Sequence, residues 1–128
     1  MNLTKNEIEI MDAFWEAKKP LSRADLLDVS IVKTWKPNSV HVLINSLLKK
    51  GALCEVGFVR SGKTYGRTFA PVLTCEEYHA STVFTTTRVK PELEGFLAAV
   101  LNRDEAAITA ETLDRLTEVI QNKRAALG

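Results

Sequence analysis

Apolar and polar positions alternate along the chain in runs that predict six helices and one hairpin. Ile8, Met11 and Trp15 recur at helical spacing with Ile10 and Phe14 beside them, and Thr4-Lys5-Asn6-Glu7 in front has the form of a capping box. This first helix is expected to end near Ala17, because Pro20 disfavours helical geometry in the residue before it. Ser22 is placed to cap a short second helix through about Val29, with Ala24, Leu26 and Leu27 available for packing and Asp25 near its positive end. The clearest period belongs to the third helix, where Val40, Leu43, Ile44, Leu47 and Leu48 fall at offsets 0, 3, 4, 7 and 8 behind Pro37. Gly51 is a C-terminal stop, preceded by Lys49 and Lys50 in the last turn. Residues 52–59 and 64–70 are rich in Val, Phe, Tyr and Thr and flank Arg60-Ser61-Gly62-Lys63, a hairpin with a cationic tip.

A second capping box, Thr74-Cys75-Glu76-Glu77, opens a fourth helix bearing Tyr78, Val83 and Phe84. Pro91 starts a fifth, with Leu93, Phe96, Leu97, Val100 and Leu101 at the same offsets as in the third. A last helix from about Thr109 carries Leu113, Leu116, Ile120 and Leu127. The fold class expected is mainly α with a small β hairpin, divided at the Pro71–Leu73 joint into a winged-helix domain, 1–73, and a helical domain, 74–128.

Composition narrows the class without naming it. At 128 residues, 45% hydrophobic and 26% charged, the chain has the make-up of a globular domain. No apolar run is long enough to span a membrane and the N-terminus lacks a secretory pattern, so a cytoplasmic protein is expected. Cys54 and Cys75 are too few for a disulfide framework. Charge changes the picture more. Net charge is only +1, yet residues 33–67 hold seven basic side chains against the single Glu55, a local excess that favours a polyanion.

Three short helices followed by a hairpin is the winged helix-turn-helix plan, in which the third helix enters the major groove and the wing meets the backbone. With its apolar stripe inward, that helix turns Asn38, Ser39, His41, Val42 and Asn45 toward base edges, and Lys33, Lys36, Ser46, Arg60, Lys63 and Arg67 are the expected phosphate contacts. Phe84, Leu93, Phe96, Leu97, Val100, Leu101, Leu113, Leu116 and Ile120 form apolar faces that a small winged domain cannot cover, so a homodimer interface is expected there. Neither a phosphate loop nor a readable nucleophile set occurs, which argues against an enzyme, a cofactor and a small-molecule substrate. Cys75 and His79, four apart, are too few for a metal site, and none is expected. A winged helix serving only as a protein-interaction module is the rival reading; it has no need of the basic stretch.

Trp15, Trp35-Lys36-Pro37-Asn38-Ser39-Val40, Leu47-Leu48-Lys49-Lys50-Gly51-Ala52-Leu53, Phe69-Ala70-Pro71, Glu76-Glu77-Tyr78 and Leu93-Glu94-Gly95-Phe96-Leu97 together resemble the penicillinase-repressor family over nearly the whole chain. The resemblance implies a bacterial dimeric repressor that binds a dyad DNA operator through the winged domain and dimerises through its C-terminal helices, in one branch controlling beta-lactam-resistance genes. Relatives carry a small capping residue before the proline, a lysine and a threonine after it, and an arginine later in the recognition helix. Here those places hold Lys36, Asn38, Ser39 and Ser46, which implies a different operator. In the antibiotic-resistance branch a membrane sensor metalloprotease triggers cleavage after an asparagine and before a phenylalanine. The matching bond here is Asn102-Arg103, with a cation in place of the apolar residue. The paired Cys-x-Cys motifs of the copper-responsive branch do not occur.

Overall fold

A computed structural model of the chain describes residues 1–28, 35–61, 64–85 and 88–128; at 61, 64, 65 and 84 it describes the backbone alone. The elements run α1 (Lys5–Ala17), β1 (Leu21–Ser22), α2 (Arg23–Asp28), a 3₁₀ turn (Pro37–Ser39), α3 (Val40–Lys50), β2 (Leu53–Ser61), β3 (Thr64–Pro71), α4 (Cys75–Thr85), α5 (Leu93–Leu101) and α6 (Ala110–Leu127). They group into two compact units, Met1–Lys90 and Pro91–Gly128. The first therefore extends past the joint expected at residue 73 and includes α4.

Helix α1 begins with the anticipated capping box: Glu7 N–H donates to Thr4 Oγ1 at 3.2 Å, and Thr4 N–H donates to Glu7 Oε1 at 2.8 Å. It ends at Lys18, held in the left-handed region at φ 56° while its N–H donates to Phe14 O. That conformation ordinarily belongs to glycine or asparagine, so a lysine there carries strain. After Pro20 the chain forms a two-residue strand that the apolar pattern does not reveal. Leu21 pairs with Phe69 and Ser22 with Thr68. Ser22 then caps α2, its hydroxyl accepting from Asp25 N–H at 3.1 Å and its own N–H donating to Asp25 Oδ2 at 2.9 Å. The expected extension of α2 to Val29 lies outside the described residues.

Helix α3 enters through the 3₁₀ turn rather than starting as α-helix at Pro37. Its exit is a Schellman motif around Gly51 at φ 81°: Gly51 N–H donates to Leu48 O and Ala52 N–H to Leu47 O, which brings buried Ala52 back onto the helix. Strands β2 and β3 form the antiparallel hairpin, and with β1 they complete a sheet of order β1-β3-β2. Between Glu55 and Gly57 the pairing slips by one residue, with Val56 as the extra one.

The core of the first unit joins Ile10, Met11 and Phe14 of α1, Leu26 of α2, Val40, Ile44 and Leu47 of α3, and Leu53 and Phe69 of the sheet. Each such side chain removed from water stabilises by roughly 1.5–3 kcal/mol. Trp35, just before the 3₁₀ turn, is buried with them. Helix α4 joins through Tyr78, 5% exposed, whose ring lies 5.8 Å from that of Trp15. Trp15 also donates from Nε1 to Leu73 O at 3.0 Å, tying the end of α1 to the chain between β3 and α4. In the second unit α5 and α6 bury no residue, and Leu93, Leu97, Val100, Leu101, Leu113, Leu116 and Ile120 are all exposed. Phe96 is half-buried.

Candidate nucleic-acid interface

The face of α3 opposite the core is a continuous stripe. Asn38 of the entry turn and His41, Val42 and Asn45 of the helix are exposed, at spacings of three, one and three residues, with Val42 65% exposed. Asn45 Nδ2 donates to His41 Nε2 at 3.1 Å, so the two side chains one turn apart hold each other's orientation. Lys49, four residues beyond Asn45, is also exposed and carries the stripe to the helix end. In the sequence it reads only as a partner for the helix dipole. Ser39 is half-buried at the edge of this face. Among the described residues, no side chain caps the entry turn at Lys36 or the start of α3 at Ser39. The entry turn meets its own first amides instead, Ser39 N–H donating to Lys36 O at 2.8 Å and Val40 N–H to Pro37 O.

Ser46, expected at a phosphate, is turned toward α1. Its hydroxyl donates to Glu7 Oε2 at 2.7 Å, and Lys50, one turn later on the same flank, donates from Nζ to Glu7 Oε1 at 2.6 Å and to Asn2 O at 3.0 Å. Glu7 is 2% exposed. Burial by itself would push its carboxyl up, but the hydrogen bonds from Lys50, Ser46 and Thr4 outweigh that and hold it down to about 2. One carboxylate therefore closes the capping box of α1 and clasps α1 to α3, fixing the rod that carries the stripe.

The basic stretch is thinner in space than in sequence. Lys50 is spent on Glu7, and Arg67 pairs with Glu55 at 3.2 Å while its guanidinium lies 5.7 Å from the Phe69 ring centre. Lys33 and Lys63 fall outside the described residues. Lys36 on the entry turn and Arg60 on β2 are exposed. Two further residues border this surface without having been anticipated. Arg23, at the start of α2, also lies over the Phe69 ring, 5.7 Å from its centre, with Nε and Nη2 buried and no hydrogen-bond partner among the described residues. Burial, then the neighbouring Arg67 cation, lowers its pKa, against a smaller opposing pull from Glu55. Phe58, 69% exposed, stands directly across from Arg67 on the wing. An aromatic side chain between Gly57 and Val59 in a strand reads as core, so nothing in its sequence context marks it as outward.

Cys75 is half-buried and His79 is exposed beside the Trp15 and Tyr78 rings. Among the described residues no group of three or more His, Cys, Asp or Glu side chains could hold a metal ion. No described helix is long and apolar enough to cross a membrane. The side chain of Phe84 lies outside what is described. Asn102 closes α5, its N–H donating to Ala98 O, and exposed Arg103 pairs with Glu105 at 2.9 Å. In comparisons with known proteins, the model of the family described as penicillinase repressor matches residues 3–122. No curated protein matches the chain.

Proposed function

The chain belongs to the penicillinase repressor family, DNA-binding transcriptional repressors, and from that premise we propose that it binds a dyad operator as a cytoplasmic homodimer, with α3 as the reading helix. The observation that carries this is the exposed stripe Asn38, His41, Val42 and Asn45 set against a buried back of Val40, Ile44 and Leu47. Asn45 and Asn38 have the amide geometry for adenine edges, Val42 offers an apolar contact to a thymine methyl, and Lys36, Lys49 and Arg60 supply charge for phosphates. Phe58 is positioned on the wing as an apolar wedge for the minor groove.

The exposed apolar faces of α5 and α6 support the homodimer, since a second copy is the common cover for such a surface. Two linked reading helices turn two weak contacts into one tight one. Beta-lactam-resistance genes are the proposed targets by family association. Relief of repression by a membrane sensor metalloprotease at Asn102-Arg103 is proposed only in modified form, because Arg103 presents a cation engaged with Glu105 at the bond.

Titration of a labelled duplex pool selected from genomic fragments, at several salt concentrations, tests the reading. Affinity that falls steeply with salt and favours selected over random duplexes supports it. Absence of any salt-sensitive duplex binding overturns it.

A further inference from the structure

A cleft of about 480 Å³ opens in the first unit between the end of α1, the exit of β3 and the start of α4. Its walls are apolar, supplied by Phe14, Trp15, Pro20, Pro71 and Leu73. The volume falls within the range that small-molecule sites occupy. At the α1 end stand Lys18 and Lys19, both exposed. Lys18 is the one non-glycine residue with positive φ among the described residues. The backbone strain is thus carried by a cation at the cleft, where a glycine would end the helix at lower cost. At the α4 end Glu76 is the only acidic side chain of the lining, next to the half-buried Cys75. Burial, then Glu76 and Asp12, raises the Cys75 thiol above its ordinary range, in keeping with negative charge at that end. The cleft is therefore polarised along its length: cationic at one end, apolar through the middle, anionic at the other.

We propose that this cleft binds a small organic acid with a compact apolar body, its carboxylate against Lys18 and Lys19 and its body between Trp15 and Pro71. Charge complementarity selects the acid over a neutral molecule of the same shape, and the apolar walls select it over inorganic anions. None of these residues belongs to the α3 stripe, so the site is independent of the nucleic-acid reading and its test can fail while that reading stands. Because Trp15 Nε1 donates to Leu73 O inside the lining, the indole reports occupancy directly.

The experiment uses the full ¹⁵N-labelled chain, whose two tryptophans give two indole signals, assigned through Trp15→Phe. The probes are 3-phenylpropionate, its primary amide and acetate. The acid is expected to move the Trp15 signal saturably with a Kd of about a millimolar or below, as suits a ligand of this size, while the Trp35 signal stays in place. The amide is expected to bind about fivefold more weakly and acetate not at all, exposed lysines contributing little each. The double variant Lys18→Gln, Lys19→Gln should erase the preference for the acid, and Glu76→Gln should strengthen acid binding. The proposal is overturned if no saturable movement of Trp15 occurs, if acid and amide bind equally, if the lysine variant keeps the preference, or if both indoles respond alike.

Discussion

Replacing Glu7 by Gln tests whether one buried carboxylate holds α1 to α3. Glutamine keeps the shape, can still accept from Ser46 and can still serve the capping box, so it resembles the protonated acid. The folded carboxyl sits at about 2 against an ordinary 4.5, a difference worth about 3 kcal/mol by linkage. Lys50 is 34% exposed, so solvent trims the loss to about 2 kcal/mol at pH 7. For a unit of this size that lowers the melting temperature by roughly 10 °C. The sign in acid is set by the depressed value. The stabilisation is fully present above the unfolded pKa and drains away as pH falls toward 2. The gap between wild type and Glu7→Gln should narrow from about 2 kcal/mol at pH 7 to about 1 kcal/mol at pH 3. Urea denaturation monitored by tryptophan fluorescence at both pH values gives the two differences. A variant within about 0.5 kcal/mol of wild type at pH 7 would refute the clasp, as would a gap that stays constant into acid.

Changes at the reading face, the wing and the apolar helices have separable effects. Lys36→Ala and Arg60→Ala should weaken binding to all duplexes alike and reduce the salt slope by about one each, whereas Asn45→Ala should change the ranking among sequences; equal losses everywhere would reverse the assignment of roles. Leu97→Asp or Leu116→Asp should convert the proposed dimer to monomer in sedimentation and lower operator affinity by about 10²-fold or more without altering the α3 stripe; a variant that remains dimeric places the interface elsewhere. Lys18→Gly should raise stability by about 0.5–1 kcal/mol in thermal melts, by relieving positive φ, and a loss of stability would show that Lys18 is not strained. Phe58→Ala should leave folding intact, since the ring is mostly exposed, yet reduce DNA bending seen by circular-permutation gel shift.

Local signals carried far in this chain. Both capping boxes, the stop at Gly51 and the inward stripe of α3 formed as the sequence predicts, because each depends on residues within one or two turns of each other. Features that escaped were decided at a distance. Strand β1 has two residues and no period of its own; it exists because β3 offers Phe69 and Thr68 as partners. Ser46 looks outward by position, lying between the buried stripe and the surface, and only the proximity of Glu7 on another helix turns its hydroxyl inward. The same neighbour takes Lys50, which is why counting charges along the chain overstated the cations available. Helix α4, expected with the C-terminal helices, groups with the first unit because Tyr78 meets Trp15. Periodicity says which side of a helix is covered; it does not say which polar group beyond the helix comes within reach.

Val56 has a consequence for how the wing can change length. Side chains alternate faces along a strand, so losing a residue from a regular ladder turns every later one over. The surplus residue between Glu55 and Gly57 breaks that rule at one point. Deleting it would leave Phe58 opposite Arg67 and Arg60 opposite Tyr65, whereas deleting Val59 would send the later residues of the strand to the wrong side. The wing thus contains a built-in place for shortening, and descendants of this chain can trim the hairpin there while keeping the same side chains on its outer face.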